Sequence, residues 1–429
     1  MKFLSFLISP LLLWADLDHA LISAYAINCK TGQVIMNVDA EKSLVPASCM
    51  KVVTTGAALH LLKPESRFQT DLEIDGALVE GVLQGNVRII GGGDPCLGSD
   101  RTKESLAWEK QIEVWADALA NHGIKAITGE IIGDASRWET AGAAPSWAFE
   151  DIANYYGAGA TALTFHENMY TLTFKPGPHE GAPAILHRVI PAASNFVLSS
   201  EVKTGPIGSG DRACIFGAEY LMTQVVRGTI PAGVEEFSIK GAIPDPAKLC
   251  SELLTKALEK RGIQVLGRRT LPAQIKQVIH TTPSPLLTEI VYWTNQKSIN
   301  LYAEHLLKSM GGGTTAAGIK AVTEFWKGQG ITTEGMNMAD GSGLSRKNFI
   351  TAKHLASMLQ KMKESPYFSE FYASLPEEYP GVRAKDGAMS FIRCLAGYKG
   401  DIVFAIMINQ GQDSKAMKQK LEQILGQLL

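Results

Sequence analysis

The feature that most constrains this chain is the placement of β-forming runs at both of its ends. Ala20–Asn28 and Gln33–Val38 are apolar and β-compatible, with Lys30-Thr31-Gly32 as a turn between them, so a hairpin opens the chain. Far downstream, Ala388–Leu395 and Ile402–Ile408 read as two more strands, joined near Gly397–Asp401. The patterns near them are helical: Ser48–Leu62 behind Pro46, then Leu286–Thr294, Asn300–Met310, Ala316–Lys327 and Thr351–Met362, with Ser414–Leu428 as a closing amphipathic helix. Strands at both ends with helices between them point to one sheet completed by both termini and interrupted by a long insertion.

The insertion has its own character. Phe68–Gly93 is rich in β-formers and turn residues and ends in Gly91-Gly92-Gly93-Asp94-Pro95. Glu104–His122 is an amphipathic helix with Ile112, Trp115 and Leu119 on one side. Residues 170–235 carry many Pro, Gly and Ser among short β-like runs, which suggests a small β-rich module. Pro246–Arg261 is a helix with Asp245 as its N-cap and Gly262 as its stop. At 429 residues the chain has room for two or three domains. Its net charge of -2 argues against nucleic acid as a partner, since phosphate binding shows as a basic excess.

At the start, Lys2 precedes an apolar stretch from Phe3 to Trp14 and a small residue at Ala15. This is the layout of a secretory signal peptide and is short for a membrane span. The expectation is export to a periplasm or envelope space. Six cysteines (Cys29, Cys49, Cys96, Cys214, Cys250 and Cys394) leave disulfides open, but none has a CxxC or zinc-ligand spacing. The simpler reading of most of them is small, buried and apolar.

Three short motifs could carry chemistry. Ser48 and Lys51 lie three apart at a helix start and so share a face. A hydroxyl is a poor nucleophile until a base sits beside it, and a lysine serves if burial or other cations lower its pKa. Ser298-Ile299-Asn300 offers a second hydroxyl to relay a proton and an amide to hold the lysine or a substrate carbonyl. Equally, Ser298 could simply cap the following helix. Lys385-Asp386-Gly387-Ala388 offers a cation on an edge strand and a glycine that admits a substrate backbone. The Ala388 and Ser48 N–H groups could together form an oxyanion hole. Alone, this motif is also compatible with a charged turn. No pattern calls for a metal or an organic cofactor: the triple glycines lack a following Lys-Ser/Thr, and the nine histidines include no HExxH. His60, His305 and His354 fall in apolar helices and read as packing or surface residues.

Taken in order, S-x-x-K, S-x-N and K-x-G are the motif set of penicillin-binding proteins and serine β-lactamases. The chain resembles the class C low-molecular-mass penicillin-binding proteins, the D-alanyl-D-alanine carboxypeptidase/endopeptidase family. Pro46–Lys51, Gly91–Pro95, Asp340-Gly341-Ser342-Gly343-Leu344-Ser345 and Leu395-Ala396-Gly397-Tyr398 carry the likeness, together with the insertion between Lys51 and Ser298. The resemblance implies an α/β (α+β) fold: a β-lactamase/transpeptidase-like core with an antiparallel sheet flanked by helices, plus two nested inserted domains. The implied division is a signal peptide (1–15), core (16–66), inserted domain II (67–168), inserted β-rich domain III (169–236), the rest of domain II (237–280), and the rest of the core (281–429).

It also implies that Ser48 is acylated by peptidoglycan stem peptides or, as covalent inhibitors, by β-lactams, with Lys51 as base. Ser298 and Asn300 would complete the proton path, and Lys385 would hold the substrate carboxylate. Asp151 and Tyr156 sit where relatives place an acid and an aromatic that read the peptide's diamino acid. A homo-oligomer is compatible with all of this. Two departures stand out. Asp386 replaces the family threonine, and Leu375–Ala384 lacks the usual Gly-Thr-Leu and arginine run. Asp386 could oppose the substrate carboxylate, face away from the cleft, or pair with a cation, with Arg383 and Arg393 as candidates. Two other readings remain alongside the peptidase: a wall-binding homologue with impaired catalysis, and a serine β-lactamase-like hydrolase.

Overall fold

The computed structural model describes residues 17–192, 196–268 and 276–428, so the expected signal peptide lies outside the described residues. Both ends of the chain do meet in one sheet. Its strands are labelled in chain order: β1 (Leu21–Asn28), β2 (Val34–Val38), β3 (Glu377–Tyr379), β4 (Val382–Met389), β5 (Ile392–Lys399) and β6 (Ile402–Asn409). They lie in the order β3-β4-β5-β6-β1-β2, and every neighbouring pair is antiparallel. The pairing Leu21↔Asn409 through Asn28↔Ile402 joins the two ends of the chain.

Alternation along β6 shows why the sheet is closed on both sides. Val403, Ala405 and Met407 enter one core, while Phe404, Ile406 and Ile408 enter the other. On the first face lie helices α1 (Met50–Leu61), α2 (Leu287–Gln296), α3 (Asn300–Met310), α4 (Thr315–Gly328) and α5 (Ala352–Lys363). On the second, α6 (Ser414–Gly426) contributes Met417, Leu421, Ile424 and Leu425. Helix α1 is buried almost all round, and at Gly56 an added Cβ would lie 3.0 Å from the Trp326 ring. The glycine thus lets α1 and α4 pack closely despite its low helix propensity.

The sequence reading misplaced one element here. The run Ala388–Leu395 is not a strand but the turn of a hairpin: β4 ends at Met389, Ser390-Phe391 turn the chain, and β5 begins at Ile392. The Lys385 strand expected from the sequence is β4, flanked on its outer side by the short β3, which pairs only as far as Arg383. Similarly, the helix expected over Glu104–His122 starts only at Trp108.

Between α1 and α2 the chain builds further sheets. Gln69–Val79 and Val82–Ile90 form a hairpin, and Lys276–Pro283 returns to pair antiparallel with its first strand. Helices Trp108–Asn121 and Pro246–Lys260 pack there through Trp115, Leu119, Leu249 and Leu254. The Asp245 carboxylate caps the second of them, accepting from Lys248 N at 2.9 Å, with Pro246 at the first helical position. Within that span, residues 169–242 form a three-stranded and a four-stranded sheet. The triple glycine is a packing device: a Cβ at Gly91 would come 2.2 Å from Ala162 O, and one at Gly92 2.1 Å from Gln69 O. All six cysteines are free thiols. No helix among the described residues is long and apolar enough to cross a membrane.

Candidate active site

The three motifs converge at one place. A 3₁₀ turn, Ala47–Cys49, leads into α1, so Ser48 lies in the tight turn and Lys51 in the first α-helical turn. In a 3₁₀ turn residues i and i+3 nearly eclipse. Lys51 Nζ accordingly lies 3.0 Å from Ser48 Oγ. The same ammonium donates to Asn300 Oδ1 at 2.6 Å and to Ser342 O at 2.8 Å. These contacts use all three donors of an ammonium and fix the lysine in place.

Lys51 is fully buried, and its pKa falls from the ordinary lysine value to about 7. Burial is the largest cause, followed by the nearby Lys385 charge; the Asp340, Glu304 and Asp386 carboxylates oppose it. The amine is therefore poised to take and return a proton near neutrality.

The Ser342 carbonyl is held by residues that the motif reading did not single out. Glu304, buried on α3, accepts from Gly341 N at 3.0 Å and Ser342 N at 2.8 Å. Thr54 Oγ1 donates to Gly341 O at 2.6 Å. Asp340 accepts from Gly343 N, Asn348 Nδ2 and Trp147 Nε1, each at 2.7–2.8 Å. Gly343 has φ +85, and a Cβ there would strike Ala47 O at 1.8 Å. The loop Asp340–Ser345 was visible in the sequence as a motif. Its partners Glu304 and Trp147 were not, because a buried acid in a helix and a tryptophan in an irregular segment carry no local signal.

Asn300 opens α3 and is gripped from both sides: it receives Lys51 and donates through Nδ2 to Tyr156 O at 2.8 Å. That bond brings Tyr156 and Asp151 to the site's edge. The Tyr156 hydroxyl bonds the Asp151 carboxylate, whose pKa burial nonetheless raises. Ser298 does not cap α3; the cap position is Ile299, without a side-chain bond. Instead Ser298 holds φ +54, a conformation disfavoured for a serine, and its hydroxyl makes no hydrogen bond among the described residues.

Strand β4 passes alongside the Ser48 turn. A Cβ at Gly387 would lie 2.6 Å from Pro46 O and 3.2 Å from Ser48 N. The glycine thus lets β4 approach the Ser48 turn. Cys49 Sγ contacts Lys385 O at 3.1 Å from the same turn. Ala384 N donates to Pro376 O, toward the β3 side. Backbone direction alternates along a strand, so Asp386 and Ala388 point their N–H groups to that same side. β3 pairs only as far as Arg383, which leaves those two N–H groups on an unpaired edge.

Asp386 has a partner, but neither arginine. Its carboxylate accepts from Lys385 Nζ at 2.5 Å, and that ammonium also donates to Asp386 O at 2.8 Å. Arg383 instead donates to Leu375 O, and Arg393 to Ser414 Oγ. Although burial favours the protonated acid, the Lys385 charge and hydrogen bond hold the Asp386 pKa below the usual range. His305 is a neutral structural link: its ring lies 2.9 Å from Gly93 O and 2.7 Å from Thr164 Oγ1, and burial lowers its pKa to about 3.

Known proteins are similar to this chain in sequence and in fold. The sequence pattern of the D-Ala-D-Ala carboxypeptidase 3 (S13) family matches residues 8–377, stopping short of Lys385. A D-alanyl-D-alanine carboxypeptidase of Actinomadura sp. is 28% identical over 441 residues, covering 93% of this chain and 79% of that one. The D-alanyl-D-alanine carboxypeptidase DacB of Haemophilus influenzae is 24% identical, over 85% of this chain and 74% of that protein. The crystal structure of penicillin binding protein 4 from Haemophilus influenzae superposes with a TM-score of 0.78 at 21% identity, covering 95% of this chain and 94% of that one, which shows the shared fold. With the family pattern spanning most of its length, the chain belongs to the D-Ala-D-Ala carboxypeptidase 3 (S13) family of serine peptidases.

Proposed function

We propose that this peptidase cleaves D-alanyl bonds of peptidoglycan stem peptides through an acyl ester on Ser48. The observation that carries the assignment is the contact of a fully buried lysine with the serine hydroxyl, 3.0 Å from Lys51 Nζ to Ser48 Oγ. In this reading neutral Lys51 takes the proton as Ser48 Oγ attacks the D-Ala carbonyl carbon. The oxyanion lies against the N–H groups of Ser48 and Ala388. The C–N bond then breaks, and the leaving amine receives the proton by way of Lys51 and Ser298, with Asn300 holding the lysine in line. Water hydrolyses the ester and restores the hydroxyl. Lys385 anchors the group beyond the scissile bond.

Asp151 and Tyr156, beside Asn300, read the diamino acid of the peptide, and the inserted residues 67–280 set which peptides are accepted. Trimming a free end and cutting a cross-link use the same chemistry and differ in the group that the leaving amine carries. The apolar run after Lys2 supports export to the periplasm.

Labelling with fluorescent penicillin, followed by peptide mass spectrometry, tests the assignment. A stable adduct on Ser48 that disappears in Ser48→Ala, with the fold retained, is the expected result. An adduct on another serine refutes the nucleophile. Rapid turnover of the label points to a β-lactamase, and no labelling at any dose points to a wall-binding protein.

A further inference from the structure

Lys385 and Asp386 are strand neighbours, so their side chains leave β4 on opposite faces. The Asp386 carboxylate nevertheless turns back to the ammonium of Lys385. The lysine side chain is 1% exposed and the aspartate 53%. Two of the three ammonium donors are taken by this one residue, through its carboxylate and its carbonyl. The group presented to solvent here is therefore one face of a carboxylate, in a pair with no net charge. The pair lies in the site: Gly387 comes directly after it and packs on the Ser48 turn, and Asp386 is close enough to Lys51 for each to influence the other's charge.

A leaving residue that ends in a carboxylate and one that ends in a carboxamide meet this pair differently. The carboxylate accepts hydrogen bonds only, and it finds a like charge and a mostly occupied cation. The carboxamide is neutral, and its NH₂ can donate to Asp386, the group that the pair presents. We propose that Asp386 is a specificity residue that makes the site favour D-alanyl bonds whose leaving residue carries a neutral carboxamide over those whose leaving residue carries a free carboxylate. The proposal rests on the reading that Ser48 is acylated by a D-alanyl peptide lying along β4. The chemistry is the same for both substrates. Ser48 Oγ bonds to the D-Ala carbonyl carbon, the C–N bond breaks, the serine proton reaches the leaving nitrogen, and water hydrolyses the ester.

The test compares an N-acyl-D-Ala-D-Ala peptide with its C-terminal amide, measuring kcat/KM for the wild-type protein, Asp386→Thr and the near-isosteric Asp386→Asn. Wild type should favour the amide. The amide-to-acid ratio should fall by about tenfold or more in the threonine variant, the size expected when a hydrogen bond to a charged group is gained by the acid. The asparagine variant should shift the ratio in the same direction. Mass spectrometry of Ser48 runs in parallel with both peptides and with penicillin. If Ser48 is acylated but the ratio stays within about twofold across all three proteins, Asp386 does not set selectivity and the proposal is overturned. If no acyl ester forms on Ser48 with any of the three reagents, the Ser48 reading itself falls and takes the proposal with it.

Discussion

The depressed pKa of Lys51 has a kinetic consequence that pH alone can expose. Only the neutral amine can take the Ser48 proton, so the acylation rate tracks its fraction. With a pKa of about 7, the amine is about 1% neutral at pH 5, about half neutral at pH 7 and about 99% neutral at pH 9. Second-order acylation by penicillin should rise close to a hundredfold from pH 5 to pH 9 but only about twofold above pH 7. A lysine at its ordinary value would show no plateau, and its rate would climb about a hundredfold between pH 7 and pH 9. A second group needs separating: burial and the Asp340 carboxylate raise the pKa of Glu304, which holds the Ser342 loop. Glu304→Gln makes the distinction. The Glu304 carboxylate raises the Lys51 pKa, so its removal should move the inflection to lower pH while keeping its shape. If the inflection vanishes in Glu304→Gln, the titrating group was the glutamate. If wild type shows no plateau by pH 9, the buried lysine is not the base.

Two further changes test other parts of the site. Asp151→Asn should slow turnover of muropeptides containing a diamino acid more than it slows penicillin labelling, and equal effects on both would argue against a substrate-reading role. Gly387→Ala should cost about 1–3 kcal/mol through the contact with Pro46 O, and should slow acylation roughly tenfold by pushing β4 off the Ser48 turn; unchanged urea midpoints and acylation rates would refute the close-approach argument.

The contact of Lys51 with Ser48 was legible because its geometry is local: a spacing of three at a helix start determines it. The joined termini were legible from apolar, β-compatible runs at both ends, and the helix start at Asp245 from capping chemistry. The features that escaped were long-range or strand-borne. The edge strand carrying Lys385 was expected, but not that the Asp386 carboxylate turns back to the lysine ammonium. Gly387 is explained by Pro46, a residue from the other end of the chain. Glu304 gains meaning only when α3 brings it beneath Gly341 and Ser342. The strained backbone of Ser298 is set by tertiary packing, which spacing does not report.

The pairing of β1 with β6 bears on how the molecule is made. Asn409 grips Val45 through both its amide groups, across 364 positions of sequence. Contacts of such separation are slow to form, because a very long loop must close before they stabilise anything. During synthesis β1 therefore emerges early, paired on one edge with β2, while its other edge stays open to aggregation until β6 arrives. A chain cut short after Gly397 would retain every residue assigned here to proton transfer and substrate binding, yet would lack β6, the strand that β1 and β5 both pair with. Truncation after Gly397 should therefore abolish acylation as completely as the loss of Ser48.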